Sequence, residues 1–178
     1  MTLDGRSLTI EGVVEVARRG AEISLSPEAA GRMEHAHTVM RELIARGQPI
    51  YGVTTGLADR KGTPIAPEEA GAFQRRVILS HVVGAGPALA EDVVRAIMVA
   101  RANMLAAGGS GTRAVVAERL IALLNHRIHP RVPARGSLGV TDLTHLAHIA
   151  QAVLGDGMVE IDGRTMRAAD ALASAGLT

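Results

Sequence analysis

The sequence contains no cysteine, which excludes disulfide staples, thiolate nucleophiles and sulfur-ligated metals. It also lacks tryptophan and has a single tyrosine and a single phenylalanine, so Ala, Val, Leu, Ile and Met must fill the interior. Charge of one sign is missing as well. Lys and Arg number 19 against 18 Asp and Glu, a formal net charge of +1, and no global field exists to gather nucleic acid or an anionic membrane. No apolar run approaches the ~20 residues that span a bilayer, and the polar start Met1-Thr-Leu-Asp-Gly-Arg6 does not fit a signal peptide. The expectation is a soluble, cytoplasmic protein with neither nucleic acid nor a membrane as partner. There is no internal repeat and no low-complexity segment. The 178 residues suit one domain, 1–178, long enough to bury a core.

What is present favours helices. Small aliphatic side chains let helices approach closely, and Ala and Leu are strong helix formers. Leu8-Thr-Ile10 reads as a short strand, followed by a helix through Val13, Val16 and Ala17 that stops at Gly20. Glu22-Ile-Ser-Leu25 alternates like a second short strand. Ser26-Pro27-Glu28 is a helix start, with Ser as cap, Pro at the first helical position and an acid in the first turn. Residues 51–67 form a Gly-, Thr- and Pro-rich loop before a helix carrying Phe73, Val77, Ile78 and His81. Two further helices, near 90–107 and 112–125, flank Gly108-Gly-Ser-Gly111. A Pro- and Gly-containing stretch over 126–139 cannot be regular helix, and a helix resumes from Asp142 to Leu154. Asp162-Gly163 between 158–161 and 164–166 signals a two-residue hairpin, and a short Ala-rich helix closes the chain.

Four segments in register resemble the histidine and aromatic amino-acid ammonia-lyase family. Tyr51-Gly-Val-Thr-Thr-Gly56 is similar to its Tyr-Gly-Val-Asn-Thr-Gly loop. Gln74-Arg-Arg-Val-Ile-Leu-Ser-His81 with Gly84 resembles the next helix and its substrate-facing end. Val93-Val-Arg-Ala-Ile-Met-Val-Ala-Arg-Ala-Asn103 with Gly108-Gly-Ser-Gly111 resembles the following helix and turn. Leu123-Leu-Asn125, His129-Pro130, Val132-Pro133 and Gly136-Ser-Leu-Gly139 resemble the approach to the catalytic loop. Essentially the whole chain takes part, as an N-terminal portion. The resemblance implies a mainly α, aspartase/fumarase-like helical fold with short β-hairpins, and an oligomer whose active sites combine subunits. It also implies removal of an amine and a β-proton from an amino acid.

In the family, an Ala-Ser-Gly triad cyclises to a methylidene-imidazolone electrophile. Here the stretch is Gly136-Ser-Leu-Gly-Val-Thr-Asp-Leu143. Val140 stands for Ala, Thr141 for Ser, and the Gly is missing, so Asp142 would have to supply the ring nitrogen. That nitrogen must attack a carbonyl, a step that needs a residue with almost no bulk. The expectation is that the prosthetic group is absent, that the chain uses no cofactor, and that ordinary ammonia-lyase activity is lost. The family's long central bundle is also not represented. A second chain resembling that bundle is one expected partner, and a homo-oligomer is the other.

Tyr51, the only tyrosine, matches the family's catalytic base. A free phenol titrates near ~10, so such a role needs a positive neighbour or a helix dipole; the ordinary alternative is a ring packed in its loop with the hydroxyl tied down. Thr55, Gly56 and His81 match substrate-binding positions. An imidazole there can donate, accept or change charge, or simply cap a helix C-terminus. His126, Arg127, His129, Arg131 and Arg135 form a basic run beside the altered loop, read as a solvated stretch that could also meet a carboxylate or phosphate. His145 and His148 share a helix face with Asp142 a turn earlier, but no metal site is assigned. Two functions compete. One is acid-base elimination, conjugate addition, cyclisation or isomerisation of a carbonyl-activated, amino-acid-like small molecule, with Tyr51 as base and His81 orienting. The other is a non-catalytic partner or regulatory subunit of a lyase-like assembly, or a degenerate remnant.

Overall fold

The computed structural model describes residues 1–139 and 142–177. Val140 and Thr141 of the altered loop, and Thr178, lie outside the described residues. Thr2–Leu3 (β1) and Ser24–Leu25 (β2) pair in parallel around the first helix, Ile10–Arg19 (α1). The expected strand at Leu8-Thr-Ile10 is a correction. Thr9 is instead the N-cap of α1, extended in backbone, with its hydroxyl oxygen accepting from the Gly12 amide at 3.1 Å. Leu-Thr-Ile is a strand-like triplet, but a Thr that satisfies an orphan amide of the first turn decides the local structure. Gly20 closes α1 in the left-handed conformation, which glycine adopts without a Cβ penalty.

Ser26 caps the second helix, Pro27–Ala45 (α2), with Pro27 in its first turn. A loop containing the 3-10 turns Ala58–Arg60 and Pro67–Glu69 leads to Ala70–Ser80 (α3). Then follow Ala85–Ala88 (β3), Glu91–Ala106 (α4), Ala114–Asn125 (α5), His129–Pro130 (β4) and Pro133–Arg135 (β5). Leu143–Val153 (α6), Met158–Ile161 (β6), Arg164–Arg167 (β7) and Ala168–Ser174 (α7) complete the order. The fold is mainly α, as expected.

Of the strand pairs, β6–β7 is a local hairpin. Asp162 and Gly163 both have positive φ, 49° and 74°, as a type I′ turn demands. The remaining pairs are long-range. β3 lies antiparallel to β5, and β4 joins β6, so the Gly84–Pro87 region is a strand edge as well as the end of α3.

The core is aliphatic. Val94, Met98, Val99, Ala102 and Leu105 of α4 pack between Val16 of α1 and Ala117, Leu120, Leu123 and Leu124 of α5. Alanines at 102 and 117, both fully buried, let the backbones close up where a larger core would use an aromatic ring. Phe73 is only half-buried, on α3, which has no buried residue at all.

One charge sits in this core. Arg95 of α4 is 2% exposed. Its Nε and Nη2 donate to the Val16 carbonyl at 3.0 and 2.8 Å, and its Nη1 donates to the Leu124 carbonyl at 3.1 Å and to His129 Nε2 at 3.0 Å. Val16 and Leu124 lie in the last turns of α1 and α5. One guanidinium therefore donates to the carbonyl ends of two helices, whose dipoles each present roughly −0.5 of a charge. Two helix termini take the place of a carboxylate partner.

Candidate functional site

The stretch that carries Tyr51, Thr55, Gly56 and His81 is the least buried part of the chain. Within it, Thr55 is among the few buried residues, 8% exposed. Its backbone bridges to Pro64, and its hydroxyl donates to the neighbouring Gly56 carbonyl at 3.3 Å. Gly56 is where two turns cross. A Cβ there would stand 2.6 Å from the Arg60 carbonyl oxygen, so the position needs glycine for close approach of backbone. Tyr51 is 62% exposed, and its hydroxyl oxygen accepts from the Ala58 amide at 3.1 Å. That contact ties the phenol to its own loop.

Gln74 of α3 joins this loop to the helix. Its Nε2 donates to the Gly52 carbonyl at 2.6 Å. His81 lies seven residues later, on the same side of α3 and roughly 10 Å further along the axis. It is the C-cap of α3, with Nδ1 at 2.7 Å from the Val77 carbonyl and 3.2 Å from Ser80 Oγ. Nδ1 thus serves the helix end and the far edge of the ring is left for another group. Tyr51 and His81 share no hydrogen bond among the described residues; Gln74 links the loop of the one to the helix of the other, and its amide reads in sequence as an ordinary exposed helix residue. A second tie, the Arg75–Asp156 ion pair, fastens α3 to the turn after α6.

The far end of α3 is fixed by α6. His148 Nε2 accepts from the Gly84 amide at 3.2 Å. Burial, reinforced by the neighbouring His145, pushes His148 below the ordinary imidazole range, which keeps the ring neutral and able to accept. A Cβ on Gly84 would meet His148 Nε2 at 2.9 Å and Pro133 Cβ at 3.0 Å. Gly84→Ala should therefore cost about 1–3 kcal/mol through overpacking against a ring that cannot retreat; chemical denaturation of the variant checks it, and an unchanged midpoint would refute the contact.

Asp142, the described member of the altered triad, begins α6. Its φ of 45° is left-handed, its carbonyl accepts from the Leu146 amide, and its carboxylate takes the Ser137 hydroxyl. Asp142 thus leads into α6 with its carboxylate engaged. Val140 and Thr141 fall outside the described residues. The ring of His148 is committed to Gly84 and the carboxylate of Asp142 to Ser137, and among the described residues no three ligating side chains converge.

The basic run beside this loop is not uniformly solvated, contrary to the sequence reading. His129 is 4% exposed, in β4 against Arg95, while His126, Arg127 and Arg131 stay outside. The buried Arg95–His129 pair was invisible in sequence because an Arg in an amphipathic pattern reads as a surface residue. No helix among the described residues is long and apolar enough to cross a membrane.

Comparison with known proteins places this geometry. A family model described as aromatic amino acid lyase matches residues 8–178. The chain is 43% identical over 178 residues to the histidine ammonia-lyase of Treponema denticola, covering 99% of this chain and 35% of that protein. It is 46% identical over 174 residues to the histidine ammonia-lyase of Chloroflexus aurantiacus, covering 96% and 33%. Among solved structures, ergothionase of Treponema denticola, an ergothioneine-degrading enzyme, superposes with a TM-score of 0.97 at 31% identity, over 100% of this chain and 36% of its own. Tyrosine aminomutase of Streptomyces globisporus gives 0.94 at 36% identity, over 99% and 33%. The chain thus spans about a third of the length of the relatives it matches.

Proposed function

The chain belongs to the aromatic amino acid lyase family, and from this premise we propose that it contributes the acid-base third of a lyase-type site that works without a methylidene-imidazolone. The observation that carries the reading is the Gln74 bridge. It ties the Tyr51 loop to the helix that ends in His81, which supports Tyr51 and His81 acting in one site. By the resemblance, Val140 and Thr141 stand where the electrophile-forming Ala and Ser would be, with the Gly missing and Asp142 next in line.

In this reading Tyr51 removes a proton next to a carbonyl of an amino-acid-like small molecule. Thr55 and Gly56 shape the loop that receives the substrate, and His81 offers the outer edge of its ring to orient it. Without a covalent electrophile the leaving group departs with no prior activation, so the accessible chemistry is elimination, its reverse addition, or an isomerisation or cyclisation through the same carbanion. The remaining helical part of the site comes from a second chain.

A non-catalytic partner role is the second reading. It is favoured by Tyr51 standing 62% exposed, with its hydroxyl spent on its own loop. Intact-mass measurement tests the first element of the proposal. The polypeptide should show its unmodified mass, with no loss of two waters, since Asp142 in place of glycine blocks ring closure by its bulk. A mass deficit mapping to the 136–146 peptide would overturn it.

A further inference from the structure

We propose that His148 is a positioning residue of the candidate site: its imidazole latches α3, and His81 with it, onto α6 through the Gly84 amide, and a proton on the ring undoes the latch. The inference rests on the reading above only in taking His81 to orient a substrate.

α3 is held by points of contact rather than by packing. None of its residues is buried, and its 11 residues are too few for a helix to persist by itself in water. Near its start Gln74 reaches the Gly52 carbonyl of the exposed Tyr51 loop. The Arg75–Asp156 pair is half exposed, the kind that contributes little to stability. At the exit, the amides of His81, Val82 and Val83 bond to the carbonyls of Ile78, Leu79 and His81, all within the helix end itself. Gly84 is the first residue past α3 whose amide is held from outside, by His148 Nε2 at 3.2 Å. The fit has no slack, since a Cβ on Gly84 would stand 2.9 Å from Nε2 and 3.0 Å from Pro133 Cβ.

A hydrogen bond of this sense needs a bare Nε2, so the neutral ring carries its proton on Nδ1. Protonation would set a second N–H against the Gly84 N–H. Two donors cannot share one line, and one of them must move. The surroundings decide when this happens. Burial lowers the His148 pKa, and His145, three residues back on α6, lowers it further. The other charged groups on the elements packed here do not reverse that. Arg75 and Arg76 of α3 and Arg135 of β5 are cations, the Asp156 carboxylate is taken by Arg75, and His81 is occupied at the end of α3. The folded ring therefore takes up a proton only below the ordinary imidazole value of ~6.5. The latch is closed above that value and opens as pH falls through the lower folded one.

Amide hydrogen exchange on the chain itself tests this, read by NMR from pH 7.5 to pH 5 as protection relative to the unstructured rate. The amide of Ala102, fully buried in the core, marks global unfolding. In the parent, Gly84 and the amides of 77–80 should lose protection together below pH ~6.5, by about five- to tenfold relative to Ala102, the worth of one hydrogen bond. His148→Leu should show the low protection already at pH 7.5. His148→Gln, which keeps an acceptor but does not titrate, should show the high protection throughout. Leu fills the space without accepting, so only a hydrogen-bonding role separates it from Gln. Should His148→Leu fail to fold, His148→Gln against the parent decides. Equal pH slopes in the parent and His148→Gln overturn the proposal, as does a ring proton found on Nε2 at pH 7.5. Loss of protection at Gly84 while α3 keeps its own also overturns it, since the contact would then fasten a turn and not a helix. None of these readings needs turnover, so a failure of Tyr51 as base and a failure of the latch are seen separately.

Discussion

Replacing Tyr51 with Phe should leave the fold intact and lower turnover by about 10²–10⁴-fold, the range that a general acid or base supplies. The change removes one oxygen from a side chain that is 62% exposed and whose hydroxyl contact among the described residues is the Ala58 amide. Loss of a single exposed hydrogen bond costs about 1 kcal/mol or less in stability, so a large loss of rate cannot come from unfolding. The measurement is turnover of the assembled protein on carbonyl-activated, amino-acid-like small molecules, followed by solvent exchange of the proton next to the carbonyl and by absorbance of any unsaturated product. His81→Ala separates the roles. His81 gives Nδ1 to the end of α3, so its loss should raise KM more than it lowers kcat. Gln74→Leu should act like a weaker Tyr51→Phe, lowering kcat by freeing the loop while the far end of α3 stays fixed by His148. Undiminished turnover in Tyr51→Phe would transfer the weight to the non-catalytic reading, under which Tyr51 matters to assembly alone.

Local chemistry was the legible part of this sequence. Ser26-Pro27 and Asp162-Gly163 each encode a structure within four residues, and each is found where it was expected. The strand-like Leu8-Thr-Ile10 failed for a local reason too, because propensity cannot tell a β-branched strand residue from a β-branched cap. Long-range pairing was not legible. Nothing in Ala85–Ala88 announces that its partner is Pro133–Arg135, nearly fifty residues on. The candidate site shows the same division. Tyr51, Thr55, Gly56 and His81 stand out by motif, but the contacts that anchor their stretch are Gln74 to the Gly52 carbonyl and His148 to the Gly84 amide. Their types are unremarkable, and their significance is a matter of which carbonyl or amide they reach.

The second large effect concerns Arg95, a residue that motif reading passes over. Removing its side chain leaves the Val16 carbonyl and His129 Nε2 buried without their donor, and takes from the Leu124 carbonyl a donor additional to the backbone amides it already meets. Each such orphan costs about 1–3 kcal/mol. The loss is offset in part because the buried charge and its desolvation vanish too, which leaves Arg95→Leu roughly 3–5 kcal/mol less stable. On a domain stabilised by about 5–15 kcal/mol this approaches unfolding. Arg95→Lys should recover only part of the loss, since an ammonium keeps the charge for the two helix ends but not the planar fork that reaches both. Acid should act on the same centre. Burial pushes His129 down to about 4; the Glu91 carboxylate 3.6 Å away opposes this, and Arg95 and Arg127 reinforce it. Above pH ~6.5 the ring is neutral in the folded and unfolded chain alike. Between about 6.5 and about 4 the unfolded chain binds a proton that the folded chain refuses, so stability falls as pH is lowered, by about 3 kcal/mol at most across the window. His129→Gln keeps an acceptor for Arg95 but does not titrate. Urea midpoints measured from pH 7 to pH 4.5 should therefore slope less steeply in His129→Gln than in the parent. Parallel slopes would show that the acid sensitivity arises elsewhere, and that the Arg95–His129 contact holds regardless of the ring's charge.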